Sequence, residues 1–328
     1  MAAVSDMPRA YEAAFLRLVE LHRIRPEQLE PVLQEEIGAW RERLDWDFRS
    51  SAALVHRFLD MHALNGYCLV AGDEAVGYAY YVGEERKGLI GDLYVMQHAA
   101  SPQSEYMLLD AVLGTLAQTP MVHRVESQLM MLRATSPDWL PRSQYARAWL
   151  RQFMTIDVSE APGMPIGRPR TQFSIEPWSE RRQDEAAALI ADSYRGHVDS
   201  DINDQYRSPA GARRFLSNIV QYPGCGSFFQ PASFVAADAA THKLCGMSLA
   251  SLVAPEVGHI TQICVSQSHQ RLGIGYELLR HSLVSLAASH CRSASLTVTS
   301  TNVEAIALYD HIGFRTMREF YAMVWEGF

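Results

Sequence analysis

The sequence predicts an α/β protein made of two similar units, because strand-like and helix-like segments alternate along both halves of the chain. In the second half the apolar strand Ile263–Val265 runs through a turn with two glycines into an amphipathic helix. A second block of the same kind follows, in which residues 294–300 are predicted to form a strand and Asn302 opens a short helix. A comparable pattern occurs in residues 1–160.

The turn between the first strand and helix has the sequence Gln270-Arg271-Leu272-Gly273-Ile274-Gly275. Backbone N–H groups at the start of a helix point toward one spot, and the helix dipole adds positive potential there. A side chain at either glycine would block close approach of the backbone to an anion. The turn therefore suits a phosphate group, although two glycines alone are equally consistent with an ordinary helix start.

The two blocks together resemble the GCN5-related N-acetyltransferase (GNAT) superfamily. The motifs that carry the resemblance are Q-x-x-G-x-G in the turn and N-x-x-A-x-x-L-Y-x-x-x-G-F from Asn302 to Phe314. The resemblance covers roughly residues 171–328 and implies a mixed, mostly antiparallel sheet flanked by helices. It also implies acetyl-coenzyme A as the cofactor, with a bulge near Cys264 and two splayed strands forming its slot.

In that family the turn holds the pyrophosphate, and the preceding strand lies along the pantetheine arm. Carried onto this chain, the resemblance gives the following cofactor residues: Ile263, Cys264, Val265, Gln270, Arg271, Leu272, Gly273, Ile274, Gly275, Tyr276 and Asn302. Most of these would act through backbone N–H groups. Asn302 is equally suited to capping the helix that it opens, and the two roles are compatible.

The first half contains an eroded copy of the same pattern. Aligning Val95 with Val265 brings Tyr106 onto Tyr276, but Ala100, Gln103 and Glu105 replace the glutamine and both glycines of the turn. A carboxylate there would repel a pyrophosphate. The sequence thus predicts a degenerate GNAT-like domain in residues 1–160, a Pro- and Gly-rich linker in 161–170 and a catalytic domain in 171–328. A different loop path that restores cofactor binding in the first half is the alternative.

Acyl transfer from a thioester to an amine needs an oxyanion contact and the management of two protons, but no covalent enzyme intermediate. The resemblance makes Tyr309 the candidate general acid toward the coenzyme A sulfur, although an aromatic residue packed between helix and sheet has the same spacing. For the base, some family members have a Glu six residues before the strand valine, where this chain has His259. Glu256 is a second candidate, and the absence of any dedicated base is a third possibility.

The loop from Tyr194 to Asn203 is polar and lies where GNAT folds commonly wall the acceptor site. Its candidate substrate contacts are Tyr194, His197, Asp199 and Asp201. The two aspartates could orient a cationic amine. A metal site is a rival interpretation, but no further ligands are spaced to complete a shell, so no metal is expected. A solvated loop with helix-capping aspartates is the third interpretation.

Composition limits the alternatives. The 328 residues suit two domains, and a net charge of −8 argues against a nucleic-acid partner. The five cysteines are scattered, and no apolar run is long enough to cross a membrane, so a cytoplasmic protein is expected. The resulting hypothesis is an acetyl-CoA-dependent N-acetyltransferase that acts on a small-molecule or peptide primary amine by direct attack. A non-catalytic acyl-CoA-binding or scaffold protein and a longer acyl group are the alternatives; the oligomeric state stays open.

Overall fold

The computed structural model describes residues 16–84, 86–133, 136–222 and 226–328. The strands are β1 Leu16–Glu20, β2 Asn65–Ala71, β3 Glu74–Glu84, β4 Lys87–Val95, β5 Arg124–Gln128, β6 Ala146–Asp157, β7 Phe173–Pro177, β8 Ser227–Phe228, β9 Phe234–Asp238, β10 Leu244–Ala254, β11 Val257–Val265, β12 Ser293–Thr299 and β13 Arg315–Glu326. The helices are α1 Pro26–Leu44, α2 Arg49–Asp60, α3 Pro102–Gln118, α4 Gln183–Ser193, α5 Asp199–Ile202, α6 Pro209–Gln221, α7 Ile274–Ala288 and α8 Val303–Ile312.

The order of elements repeats. Strand β1, helices α1 and α2, strands β2 to β4, helix α3 and strands β5 and β6 have counterparts in β7, α4 to α6, β9 to β11, α7, β12 and β13. Within the described residues all strands form one mixed sheet, which confirms the predicted fold class. Most neighbours are antiparallel, whereas β4 with β5 and β11 with β12 are parallel.

The two halves exchange their last strands. Strand β13, the end of the chain, lies between β5 and β6, and β6 lies between β13 and β12. Each half thus completes the sheet of the other, with Arg151 opposite Thr299 and Glu126 opposite Val324. The predicted boundary at residues 161–170 stays a prediction, and the sheet is continuous on both sides of it.

The parallel pair β11 and β12 separates before either strand ends. Their pairing runs from Val257 and Ser293 to Ile260 and Leu296, and no further pairs follow. Opposite β10, Thr261 is the extra residue of a bulge, because Gln262 faces Leu249 while Ile260 faces Ala250. The expected bulge therefore lies at Thr261 rather than at Cys264. A bulge bends its strand, so beyond it this edge of β11 has no neighbouring strand among the described residues, and side chains of Gln270 and Tyr194 donate to the carbonyls of Val265 and Ile263.

The core is shared between the halves. One buried cluster joins helices α1 and α2 of the first half to Phe153, Val253, Val257 and Phe320 of the exchanged and second-half strands. Another packs helices α7 and α8 against the opposite face of β12. Helices α7 and α8 and the separated strands meet around a cleft. In the described part of the chain, no helix is both long and apolar enough to cross a bilayer.

Candidate functional site

A cleft of about 630 Å³ opens between the separated ends of β11 and β12. Its walls come from the turn before α7, from the first turns of α8 and from the loop after α4. Most of the predicted site residues line it, namely Tyr194, His197, Ile263, Cys264, Val265, Gln270, Arg271, Gly273, Gly275, Tyr276, Asn302 and Tyr309. The structure thus brings together residues that are far apart in sequence.

The turn before α7 has the backbone of an anion-binding loop. Arg271 and Gly273 both have positive φ, at 61° and 93°, and Gly273 is the residue that precedes the first helical turn. Left-handed residues within such a turn direct successive N–H groups to one side. The side-chain amide of Gln270 donates to the carbonyl of Val265 at 3.3 Å and so ties the turn to the end of β11.

Gly275 has the space that a ligand would need. A Cβ atom there would lie 3.5 Å from Leu308 and 3.7 Å from Val265, both of which contribute to the cleft. In the first half the matching residue is Glu105, which is 3% exposed and accepts a hydrogen bond from the backbone N–H of Arg133 at 3.0 Å. A carboxylate therefore occupies the position that corresponds to the open glycine.

The predicted linker is in contact with this turn. The hydroxyl of Tyr276 donates to the carbonyl of Pro165 at 2.8 Å, and the N–H of Arg170 donates to the carbonyl of Leu272 at 2.9 Å. A Cβ on Gly273 would lie 3.1 Å from the Cα of Pro169, so this glycine is required by packing as well as by its φ. The linker therefore supports the outer side of the turn.

Asn302 lies in the cleft at the start of α8. It caps the helix, since its Oδ1 accepts the N–H of Ala305 at 3.2 Å. Its Nδ2 lies 3.2 Å from Nε2 of His197, on the loop after α4. The side chain of Asn302 therefore joins two walls of the cleft as well as capping the helix.

Tyr309 lies in the cleft one helical turn before the end of α8 and is 6% exposed. Burial raises the pKa of its hydroxyl far above the usual value, the charge of Asp199 raises it further, and the charge of Arg151 lowers it. Tyr309 is therefore protonated at neutral pH and can serve as a proton donor.

Two of the four predicted acceptor contacts line the cleft. These are Tyr194 and His197, whose rings meet edge to face with centroids 5.3 Å apart. The Tyr194 hydroxyl also receives a hydrogen bond from the side-chain amide of Gln262 at 3.0 Å. Both side chains are therefore held in place at the mouth of the separated strands.

The two aspartates of the same loop point in different directions. Asp199 accepts a hydrogen bond from the hydroxyl of Thr299, at the end of β12. Asp201 lies away from the cleft, because its half-exposed carboxylate faces Arg207 at 3.6 Å. The aspartates diverge, so they do not form a converging pair of metal ligands.

Neither candidate base lies in the cleft. The ring of His259 is buried against Trp46, with centroids 4.9 Å apart, and its Nδ1 lies 2.9 Å from the hydroxyl of Ser295. Burial lowers the pKa of His259 to about 3, and the charge of Arg151 lowers it as well. Glu256 precedes β11, at the end of the strand opposite to the cleft, and the length of the strand puts it roughly 23 Å from Ile263. Both bases stay predictions, which these positions do not favour.

The sequence did not reveal what holds the acceptor loop. Arg124 of β5 donates to the carbonyls of Asp201 and Ile202, and the N–H of Asp204 donates to Glu126 at 3.0 Å. Lys87 completes this buried cluster. Lys87 at the start of β4, and Arg124 and Glu126 at alternate positions of β5, are the signal that could have indicated it.

Comparison with known proteins agrees with this architecture. Residues 198–314 match the acetyltransferase (GNAT) family. A GCN5-related N-acetyltransferase from Sphaerobacter thermophilus is 17% identical, with 95% of each chain covered and a TM-score of 0.61. A tandem GNAT protein from the clavulanic acid biosynthesis pathway is 14% identical, with 95% of this chain and 98% of that chain covered and a TM-score of 0.58.

A third similar structure is a glucosamine N-acetyltransferase region of a fungal multi-domain GH3 β-N-acetylglucosaminidase. It is 13% identical, covers 98% of this chain and 40% of that chain, and has a TM-score of 0.60. At such identities the likeness concerns the fold. Fold and site define a mixed α/β protein of the acetyltransferase class. The segment 198–314, which contains both motifs, matches the GNAT family, and this confirms the resemblance drawn from them.

Proposed function

We propose that the protein is an acetyl-CoA-dependent N-acetyltransferase whose cofactor binds in the cleft between β11 and β12. The observation that carries the proposal is the convergence of three features on one cleft: the left-handed turn at Arg271 and Gly273, the free edge of β11 and the buried hydroxyl of Tyr309. The match of residues 198–314 to the GNAT family supports it.

The proposed roles follow from these positions. The N–H groups at the start of α7 would bind the pyrophosphate, and the unpaired edge of Ile263–Val265 would bind the pantetheine arm. The cofactor supplies an activated acetyl thioester. With it bound, an amine acceptor would attack the thioester carbonyl carbon and displace the thiolate, and Tyr309 would donate its hydroxyl proton to the leaving sulfur. Bulk water receives the proton that the amine loses, because His259 and Glu256 lie elsewhere.

Thermal unfolding with and without acetyl-CoA tests the proposal. A ligand at about 100 times its dissociation constant stabilises the fold by about 2.7 kcal/mol. Gly275→Glu should remove this stabilisation, because it sets a carboxylate in the cleft where Glu105 stands in the first half. Gly275 is preferable to Gly273, whose positive φ and contact with Pro169 would make any substitution strained.

Gly38→Glu is the matched control. Gly38 is exposed on α1, and no atom lies within 4 Å of the position that a Cβ would take, so the same change should keep the response to acetyl-CoA. If the wild-type protein is not stabilised, or if a folded Gly275→Glu variant responds normally, the proposal is wrong. Stabilisation without acetyl transfer to any amine would support a non-catalytic acyl-CoA-binding protein instead.

A further inference from the structure

Arg151 is a buried cation with very few partners among the described residues. It lies on β6, the strand that the first half places beside β12, and it is 9% exposed. Its Nη2 donates to the hydroxyl of Thr297 at 3.3 Å. Its Nε is buried without a hydrogen-bond acceptor, and no carboxylate in the described part of the chain forms an ion pair with the guanidinium. Five N–H donors thus share one long contact to a neutral hydroxyl.

A buried guanidinium with so few acceptors lowers the stability of the folded state. A buried charge is stable only when it is paired or well hydrogen-bonded. The other strongly buried cations of the sheet obey this rule: Arg124 pairs with Glu126 and Glu326, and Lys87 pairs with Glu126 and Asp204. Arg151 is different, because no carboxylate among the described residues pairs with its guanidinium.

The position of Arg151 connects it to the proposed reaction. Its charge lowers the pKa of Tyr309 against the effect of burial. It stands opposite Thr299 in the register of β6 and β12, and the Thr299 hydroxyl donates to the carboxylate of Asp199. Asp199 lies 3.9 Å from Nδ1 of His197, which lines the cleft, so Thr299 and Asp199 connect Arg151 with that wall of the cleft.

We propose that Arg151 binds a carboxylate of the acceptor, and that Asp199 faces the acceptor's ammonium group before it loses its proton. The acceptor class is then an amino acid or a similar compound that carries an amine and a carboxylate. The planar guanidinium fork matches a carboxylate with two parallel hydrogen bonds. This inference rests on the proposed function and makes the first half a contributor to the acceptor site through its exchanged strand.

The test compares acceptors that differ in one charge. The full chain is assayed for acetyl-CoA-dependent thiol release with the common L-amino acids and with the corresponding L-amino acid amides. The wild-type protein should use at least one amino acid with a kcat/KM roughly 10- to 100-fold higher than that of its amide. Arg151→Gln should lower the value for the acid until acid and amide are equal, and the KM for acetyl-CoA should stay within about twofold.

Arg147→Gln is the matched control, because Arg147 lies on the same strand but is exposed. The midpoint of thermal unfolding shows whether Arg151 binds the acceptor or only stabilises the fold. Arg151→Gln should unfold at the same temperature as the wild type or higher, since an unpaired buried charge is removed. Arg151→Lys keeps the charge without the fork and should recover only part of the preference for the acid.

The inference is overturned if amines without a carboxylate serve as well as the amino acids, or if the preference for the acid survives in Arg151→Gln. It is also overturned if acetyl-CoA binds but no amino acid is acetylated. A failure of acetyl-CoA to stabilise the wild-type protein is a separate result that contradicts the proposed function itself.

Discussion

Lys87 and Asp204 form an ion pair between the two halves of the chain, with 2.5 Å between Nζ and Oδ1. The Lys87 side chain is 7% exposed and also contacts Glu126 at 3.0 Å. Burial lowers the pKa of Lys87, but the charge of Glu126 and the bond to Asp204 outweigh it, so the pKa is raised. The lysine is therefore charged at neutral pH and holds the segment that follows α5 to the first half.

Replacing Lys87 with methionine should lower the free energy of unfolding by about 3 kcal/mol, because Asp204 would lose its buried cation and Glu126 would keep only Arg124. Urea unfolding measures this. Arg292→Met is the control, since it breaks an ion pair between the halves with Asp45 in which the arginine side chain is 52% exposed. The control should lose about 1 kcal/mol or less. If both variants lose the same free energy of unfolding, the burial of Lys87 does not strengthen its ion pairs.

Tyr309→Phe should lower kcat by roughly 100-fold, because it removes the proton that the thiolate would take. Acetyl-CoA should still raise the thermal midpoint as it does in the wild type, since the turn is unchanged. Tyr222→Phe changes an exposed tyrosine outside the cleft and should have no effect on either quantity. Unaltered turnover in Tyr309→Phe would exclude the acid role.

His259→Gln should leave the pH dependence of kcat/KM unchanged between pH 5 and pH 8. Burial keeps the pKa of His259 at about 3, so its ring is neutral throughout this range. The free energy of unfolding should fall by about 1–3 kcal/mol, because the contacts with Trp46 and Ser295 are lost. If kcat/KM of the wild type falls below about pH 6.5 and this fall is absent in His259→Gln, His259 is the base after all.

Glu36 and Asp92 form a buried carboxyl pair in the first half that should make stability depend on pH. Burial raises the pKa of Glu36 well above its usual value and that of Asp92 to about 6. The hydroxyl of Tyr78 and the indole of Trp40 donate to Glu36 at 2.7 and 3.1 Å, and the N–H of Leu93 donates to Asp92 at 2.8 Å.

Because the pKa values in the folded state exceed the unfolded value of about 4, the pair contributes most below pH 4. This contribution is lost as the pH rises through 6 and beyond. Asp92 alone should lower the free energy of unfolding by about 1 kcal/mol between pH 5 and pH 7. The lowered pKa of His259 makes stability rise with pH over the same range. The measurement is therefore the difference in free energy of unfolding between the wild type and Asp92→Asn at each pH. Parallel curves for the two proteins would contradict the prediction.

The local parts of the site could be predicted from the sequence. The turn before α7 is encoded within a few residues by Gly273 and Gly275, and α8 is delimited by Asn302 at its start and by Gly313, whose φ is 116°, at its end. Short-range signals of this kind depend on backbone geometry that neighbouring residues determine. For the same reason Val95 and Tyr106 of the first half could be aligned with Val265 and Tyr276.

The contacts between the halves could not be predicted. Counting along β11 selects His259, but only the folded chain places Trp46 of the first half against its ring. Arg151 carries no motif, and its relation to Thr297 arises from the exchange of β6. Strand order across such distances depends on long-range pairing, which periodicity within one strand does not specify.

The exchange of β6 and β13 also explains why an eroded copy can persist in the chain. Without residues 1–160, β12 would lose the neighbour that pairs with it over Ser293–Thr299, and β13 would lose both of its neighbours. A gene that discarded the first half would therefore encode a protein with an open sheet edge beside its own cleft. Glu105 can therefore occupy the turn of the first half without cost to the sheet, but mutual dependence of the two folds prevents the deletion of that half.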